Sequence, residues 1–170
     1  MKTIFKLLLA FTFLIPFVSC ENEDVLEQSS IHQESQENQP ISARSATWLK
    51  DQEKYGGHTL MKHYNRSNVQ LDARGIAIAS TFTTNDPKLS TLRSQNDLGI
   101  MLKNIQTANN RRLSRMRKGD ATIAIDSKNN KGAVGILREN GKNRVTAKFR
   151  TVWKYHHLYG SFLLTAYPIP

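Results

Sequence analysis

The hydrophobic period of this chain changes from helical to strand-like near Gly119, and that change constrains its fold more than any other feature. From Pro87 to Lys118 the apolar positions Leu89, Leu92, Ile100, Met101, Ile105, Ala108, Leu113 and Met116 recur at mostly helical intervals, with an interruption expected near Gly99. The pattern predicts one broken helix or two consecutive ones, ending in the basic run RRLSRMRKG. Beyond Gly119 the runs ATIAID, GAVGIL, NRVTAKFRTVW and SFLLTAY have strand character, and SKNNK, RENGK and KYHHLYG between them hold the residues that turns prefer. Helices followed by strands joined through short turns predict an α+β domain, with N-terminal helices and then an antiparallel β meander.

Upstream, Gly56 and Gly57 mark a turn, and HTLMKHY is compatible with a short helix. Ser67 followed by Gln70 is a capping-box pattern, which predicts a helix starting at Asn68 and running through Val69, Leu71, Ala73 and Ile76; residues 80–82, STF, then read as extended. In NRVTAKFRTVW, Arg144, Thr146, Lys148, Arg150 and Val152 alternate with Val145, Ala147, Phe149 and Thr151, so a single strand with one largely cationic face is expected. In the last strand Thr165 and Tyr167 share one face while Ala166 takes the other. Such a pair either presents two polar groups side by side or simply suits a pleated surface.

The N-terminus, MKTIFKLLLAFTFLIPFVSC, sets Lys2 and Lys6 ahead of an apolar run from Leu7 to Val18. That is the form of a secretory signal, with a core too short for a membrane span. The closing VSC resembles the processing site of bacterial lipoproteins, which implies lipidation of Cys20 and an outer-membrane lipid anchor. Cys20 is the one cysteine of the chain, so no internal disulfide is expected. Residues 21–46, rich in Glu, Gln, Ser and Asn, bury too little to offset ordering entropy and are expected to form a disordered tether. The cluster Glu21, Glu23 and Asp24 resembles the signal that sends lipoproteins of Bacteroidota to the outer face of the outer membrane. The expected organisation is a signal at 1–19, a lipidated Cys20 and acidic tether at 20–46, and one domain at 47–170.

Setting aside Lys2, Lys6, Arg44 and the six acids of the tether leaves 21 Lys and Arg against 8 Asp and Glu, so residues 45–170 carry +13. A field of that sign suits a polyanionic partner: nucleic acid, an acidic membrane face or an acidic protein. Arg112 and Arg115, in the basic run, read either as a solvated helix end or as guides for a phosphate backbone. Arg144, Lys148 and Arg150 are further candidate RNA contacts.

The residues also narrow the chemistry. No metal or cofactor is expected, because clustered ligands, glycine-rich phosphate loops and serine-centred elbows are all missing from the sequence; His58 and His63 lie five apart, misplaced on one helix for joint ligation. Histidine, arginine, hydroxyls and a phenol remain. RNA carries its own nucleophile, the 2′-OH, so its cleavage to a 2′,3′-cyclic phosphate needs a base, an acid and a cation but no metal. His156 and His157 fall in an expected turn, as surface residues that at most touch RNA.

The order GGHTLMKH, LDAR, ASTF and terminal LLTAYP resembles the pancreatic-ribonuclease-like toxin domain of bacterial contact-dependent growth inhibition and polymorphic toxins, over about Gly56 to Pro168. That resemblance implies a disulfide-free ribonuclease-like fold, an RNA substrate and a cognate immunity protein. It also implies a catalytic set of a histidine, an arginine eleven residues later, and the threonine and tyrosine of the last strand. These fall on His63, Arg74, Thr165 and Tyr167, with His58 a second candidate for proton transfer. The lipoprotein signal departs from the usual place of such domains at the end of large secreted proteins. The alternative reading is a surface lipoprotein of the same fold that binds nucleic acid or another polyanion without cleaving it.

Overall fold

The computed structural model describes residues 41–170, and for 41–43 only the backbone. The signal, Cys20 and most of the tether lie outside the described residues. The first element of the described residues, α1 (Ile41–Lys54), begins six residues before the expected domain boundary, so residues 41–46 are helical rather than tether. Then follow α2 (Thr59–His63), α3 (Asn68–Asp72), β1 (Ile78–Phe82), α4 (Gln95–Ala108), α5 (Asn110–Leu113), β2 (Ile123–Lys128), β3 (Gly135–Glu139), β4 (Lys142–Thr146), β5 (Lys148–His156) and β6 (Gly160–Pro168).

The class is α+β and every strand pair is antiparallel, but the strands form two sheets rather than one meander: β1-β3-β4 and β2-β5-β6. The expected single strand NRVTAKFRTVW is two strands in different sheets. The Thr146 hydroxyl accepts from Lys148 N at 3.1 Å and donates to Ile169 O at 2.8 Å, satisfying backbone groups where the chain turns from one sheet to the other. Arg144 therefore does not share a strand face with Lys148 and Arg150.

Local signals set the helix starts. Ser67 accepts from Gln70 N while the Gln70 side chain accepts from Ser67 N, a complete capping box, although α3 stops at Asp72 and does not reach Ile76. Ser94 caps α4 by accepting from Asp97 N at 3.1 Å. The helical break falls at Asn109, which caps both α4 and α5, and not near Gly99. Gly99 lies inside α4 where that helix crosses α1, and a Cβ there would stand 2.3 Å from Ser45 O. Glycine is needed for the close approach of two helices, not for a break.

The main core gathers Leu49, Leu98, Leu102, Leu113, Phe82, Phe149, Trp153 and Leu163, with Trp153 Nε1 donating to the Thr151 hydroxyl at 2.9 Å. The outer edge of β6 is not left open. Leu163 N donates to Gln52 Oε1 at 2.8 Å, Ala166 N donates to Thr59 Oγ1 at 2.9 Å, and His58 N donates to Leu164 O at 2.9 Å. Covering this edge sets α2, and His63 at its end, against the C-terminal strand.

Candidate active site

A bulge in β6 decides which way the last strand faces. Trp153 pairs with Leu163, but Val152 pairs with Thr165, so Leu164 is an extra residue. Leu163 and Ala166 both reach the core, and Thr165 and Tyr167 turn to the other face of the sheet. Across the three strands Asp126, Arg150 and Tyr167 then stand in one row, and Ala124, Val152 and Thr165 in the next. Without the extra residue, strict alternation would point Thr165 and Tyr167 at Trp153 and the core.

His63 reaches this face from the end of α2. The chain beyond it is pinned to β1: Tyr64 bridges Phe82, Asn65 N donates to Phe82 O at 2.8 Å, and Asn65 takes the left-handed conformation with φ 48°. The Glu53 carboxylate accepts from Leu60 N and Met61 N at 3.0 and 3.2 Å, capping the start of α2. The His63 ring centroid lies 5.3 Å from that of Tyr167. Its Nδ1 is 3.3 Å from Arg74 Nη1 and 3.4 Å from Ser80 O.

Two arrangements satisfy these atoms. In one, Arg74 donates to Nδ1 and the ring carries its proton on Nε2. In the other, Nδ1–H donates to Ser80 O, which also accepts from Arg74 Nη1 at 3.5 Å, and Nε2 is left bare as a base. Burial first, and then the Arg74 charge, lower the His63 pKa from 6.5 to about 4, so the ring is neutral at pH 7. Burial and the neighbouring Arg66 push Arg74 downward as well, and Arg66 is itself fixed by donating to Leu60 O at 2.9 Å.

Thr165 is 8% exposed, and its Oγ1 is buried with no hydrogen-bond partner among the described residues. An orphaned hydroxyl of this kind costs about 1–3 kcal/mol. It is the sort of exception that calls for a functional explanation. His58, the residue before α2, has its pKa lowered by burial and Lys62 against the opposing pull of Glu53, and its charge would act on His63.

The expected RNA-contact residues divide. Arg150 and Lys148 lie on the face of Tyr167, but Arg150 is not a free cation: Nη2 donates to Asp126 Oδ2 at 2.7 Å and Nε donates to Oδ1. That pair raises the Arg150 pKa, with a further contribution from the Tyr167 phenol, and lowers that of Asp126. Arg144 lies in the other sheet, opposite Leu137. Arg112 and Arg115 line a separate cavity of about 460 Å³ with Arg111, Met116 and Ile123, which does not include His63. Among the described residues no three His, Cys, Asp or Glu side chains gather as a metal site, and no helix is long and apolar enough to cross a membrane.

No family model matches the chain, and no curated protein does. Among solved structures, one chain of the crystal structure of a CdiA-CT/CdiI complex from Y. kristensenii 33638 is similar to 67% of this chain and the whole of its own length, at 21% identity and a TM-score of 0.48.

Arg66 and the Ser80 carbonyl were not legible as site groups. Arg66 lies three residues beyond His63 but no motif marks it, and Ser80 reaches the histidine because the bridge between Tyr64 and Phe82 and the bonds of Asn65 N to Phe82 O and Arg66 N to Thr81 Oγ1 dock this segment on β1. Asp126 was equally invisible, since its place in the row depends on strand register.

Proposed function

We propose that this chain is a toxin of pancreatic-ribonuclease-like type, a metal-independent endoribonuclease that cleaves RNA to a 2′,3′-cyclic phosphate. One observation carries the reading: His63, Arg74 and Tyr167, from three segments of the chain, meet on one sheet face beside the unpartnered hydroxyl of Thr165. In this mechanism neutral His63 takes the proton from the 2′-OH, O2′ bonds to phosphorus and the P–O5′ bond breaks. Arg74 donates to the phosphorane oxygens, whose charge it balances. The Tyr167 phenol gives a proton to the departing O5′ and regains one from protonated His63, so the enzyme returns to its starting state. Thr165 Oγ1, without a partner among the described residues, donates to a phosphate oxygen.

The same reading includes a cognate immunity protein, acidic to match the +13 of residues 45–170. It also includes an anchor at Cys20 on the outer membrane, with action in the cytoplasm of a target cell. The purified chain is expected to cut single-stranded RNA in EDTA, and to leave uncut an oligonucleotide whose 2′-hydroxyls are methylated. Activity lost on chelation and restored by magnesium or zinc refutes the metal-independent reading. RNA binding without cleavage between pH 5 and 9 favours the polyanion-binding lipoprotein instead.

A further inference from the structure

A second site lies along the same strands. The turn Tyr55–His58 and the turn joining β5 to β6 enclose a cavity of about 670 Å³, lined among others by Tyr55, Lys118, Asp120, Lys154, His157 and Phe162. Four rings form a column beside it: Tyr55 on Tyr159 with centroids 3.9 Å apart, Tyr159 on His156 at 4.8 Å, and His156 on His157 at 4.6 Å, all within 25° of parallel. Phe162 meets His156 edge-on at 6.1 Å. A core needs no such column at the surface, where Tyr159 is 52% exposed and His157 and Lys154 are exposed too. Parallel rings with an open end are the platform on which unpaired bases stack, and lysines beside them suit the backbone phosphates.

The cavity and the candidate active site lie along the same two strands and share a sheet face. Lys154 pairs with Phe162, on the sheet face opposite Trp153 and Leu163 and therefore the face of Thr165. Phe162 pairs with Lys154 and Tyr167 with Arg150, so the two stand four strand rises apart, about 13 Å, within reach of one extended RNA chain. The turn that supplies Tyr55 leads directly into His58 and the helix that carries His63. Asp120 is the acidic member of the lining; its Oδ2 accepts from Arg117 N at 2.6 Å, which leaves Oδ1 to accept from a base N–H.

We propose that this cavity is a subsite for an unpaired nucleotide of the RNA bound at His63, the base stacking on the ring column and its phosphate meeting Lys118 and Lys154. It rests on the ribonuclease reading only for the direction in which the RNA continues. The test uses the purified chain, a single-stranded RNA 12-mer, a duplex of the same length and a dinucleotide substrate. His157→Ala with Tyr159→Ala is expected to weaken binding of the single strand about ten-fold, the size of one stacking interaction, and to leave the duplex and the cleavage of the dinucleotide unchanged. Lys118→Ala with Lys154→Ala is expected to lower the slope of log affinity against log salt by about 0.7 for each phosphate no longer neutralised. Wild-type affinity of the His157→Ala, Tyr159→Ala variant for the single strand overturns the subsite, and so does an equal loss for single strand and duplex. If the variant loses affinity for the single strand only and the wild-type chain cuts no RNA, the ribonuclease reading is refuted and the subsite stands.

Discussion

Replacing Arg74 by methionine removes the charge whose Nη1 lies 3.3 Å from His63 Nδ1 and keeps most of the side-chain length. His63 is held at about 4 rather than 6.5, with burial the larger cause and Arg74 the next. A unit charge about 5 Å away at an effective dielectric of about 20 is worth about 3.3 kcal/mol, or roughly 2.4 pK units. That would account for the whole shift and leave nothing to burial, so screening around the partly exposed guanidinium must be greater. At a dielectric of about 40 the interaction is about 1.7 kcal/mol, and the His63 pKa should rise by about one unit, to about 5. The imidazole Cε1–H resonance, assigned by its loss in His63→Ala, reports the titration by NMR from pH 3 to 8. An unchanged pKa would show that the Arg74 charge does not act on His63, and a return to 6.5 would show that burial is not the main cause. Under the proposed mechanism turnover falls although the base becomes stronger, because the phosphorane loses its counter-charge. A faster enzyme would refute that role for Arg74.

Three further outcomes are expected. His63→Ala should lower RNA cleavage about 10²-fold or more while affinity barely changes, as single-turnover and anisotropy measurements would report; a folded variant cutting at the wild-type rate moves the role to His58. The depressed pKa of His63 means that the unfolded chain binds a proton before the folded one does, so stability is undiminished above pH 6.5 and falls as pH drops from 6.5 towards 4. Urea titrations at pH 7.5 and 4.5 should give a loss about 2 kcal/mol smaller in His63→Gln than in wild type, and equal losses in the two proteins contradict the shift. Gly99→Ala, commonly stabilising within a helix, should here destabilise by about 1–3 kcal/mol, because its Cβ meets Ser45 O at 2.3 Å; a raised Tm would show that α1 and α4 separate freely.

What the sequence determined by itself was whatever depends on near neighbours. The Ser67 and Gln70 capping box, a short helix within HTLMKHY, the strand character of ATIAID, GAVGIL and SFLLTAY, and the shared face of Thr165 and Tyr167 all follow from side chains acting within a few residues of one another. The change of period near Gly119 likewise carried the α+β class. Tertiary structure decided the rest. Alternation made residues 143–153 look like one cationic strand, but the Thr146 hydroxyl bonds across to Ile169 and sends Arg144 and Arg150 into different sheets. Gly99 looked like a break because its close approach to Ser45 belongs to another helix. Which face of β6 meets the core was undecidable from alternation, since a period of two is the same on either side; only the pairing of Trp153 with Leu163 and Val152 with Thr165 reveals the bulge at Leu164 that turns Tyr167 toward His63. Local periods are written in adjacent residues, whereas register, close approach and the meeting of His63 with Ser80 and Tyr167, and of Tyr167 with the row of Asp126, arise from partners far apart in the chain.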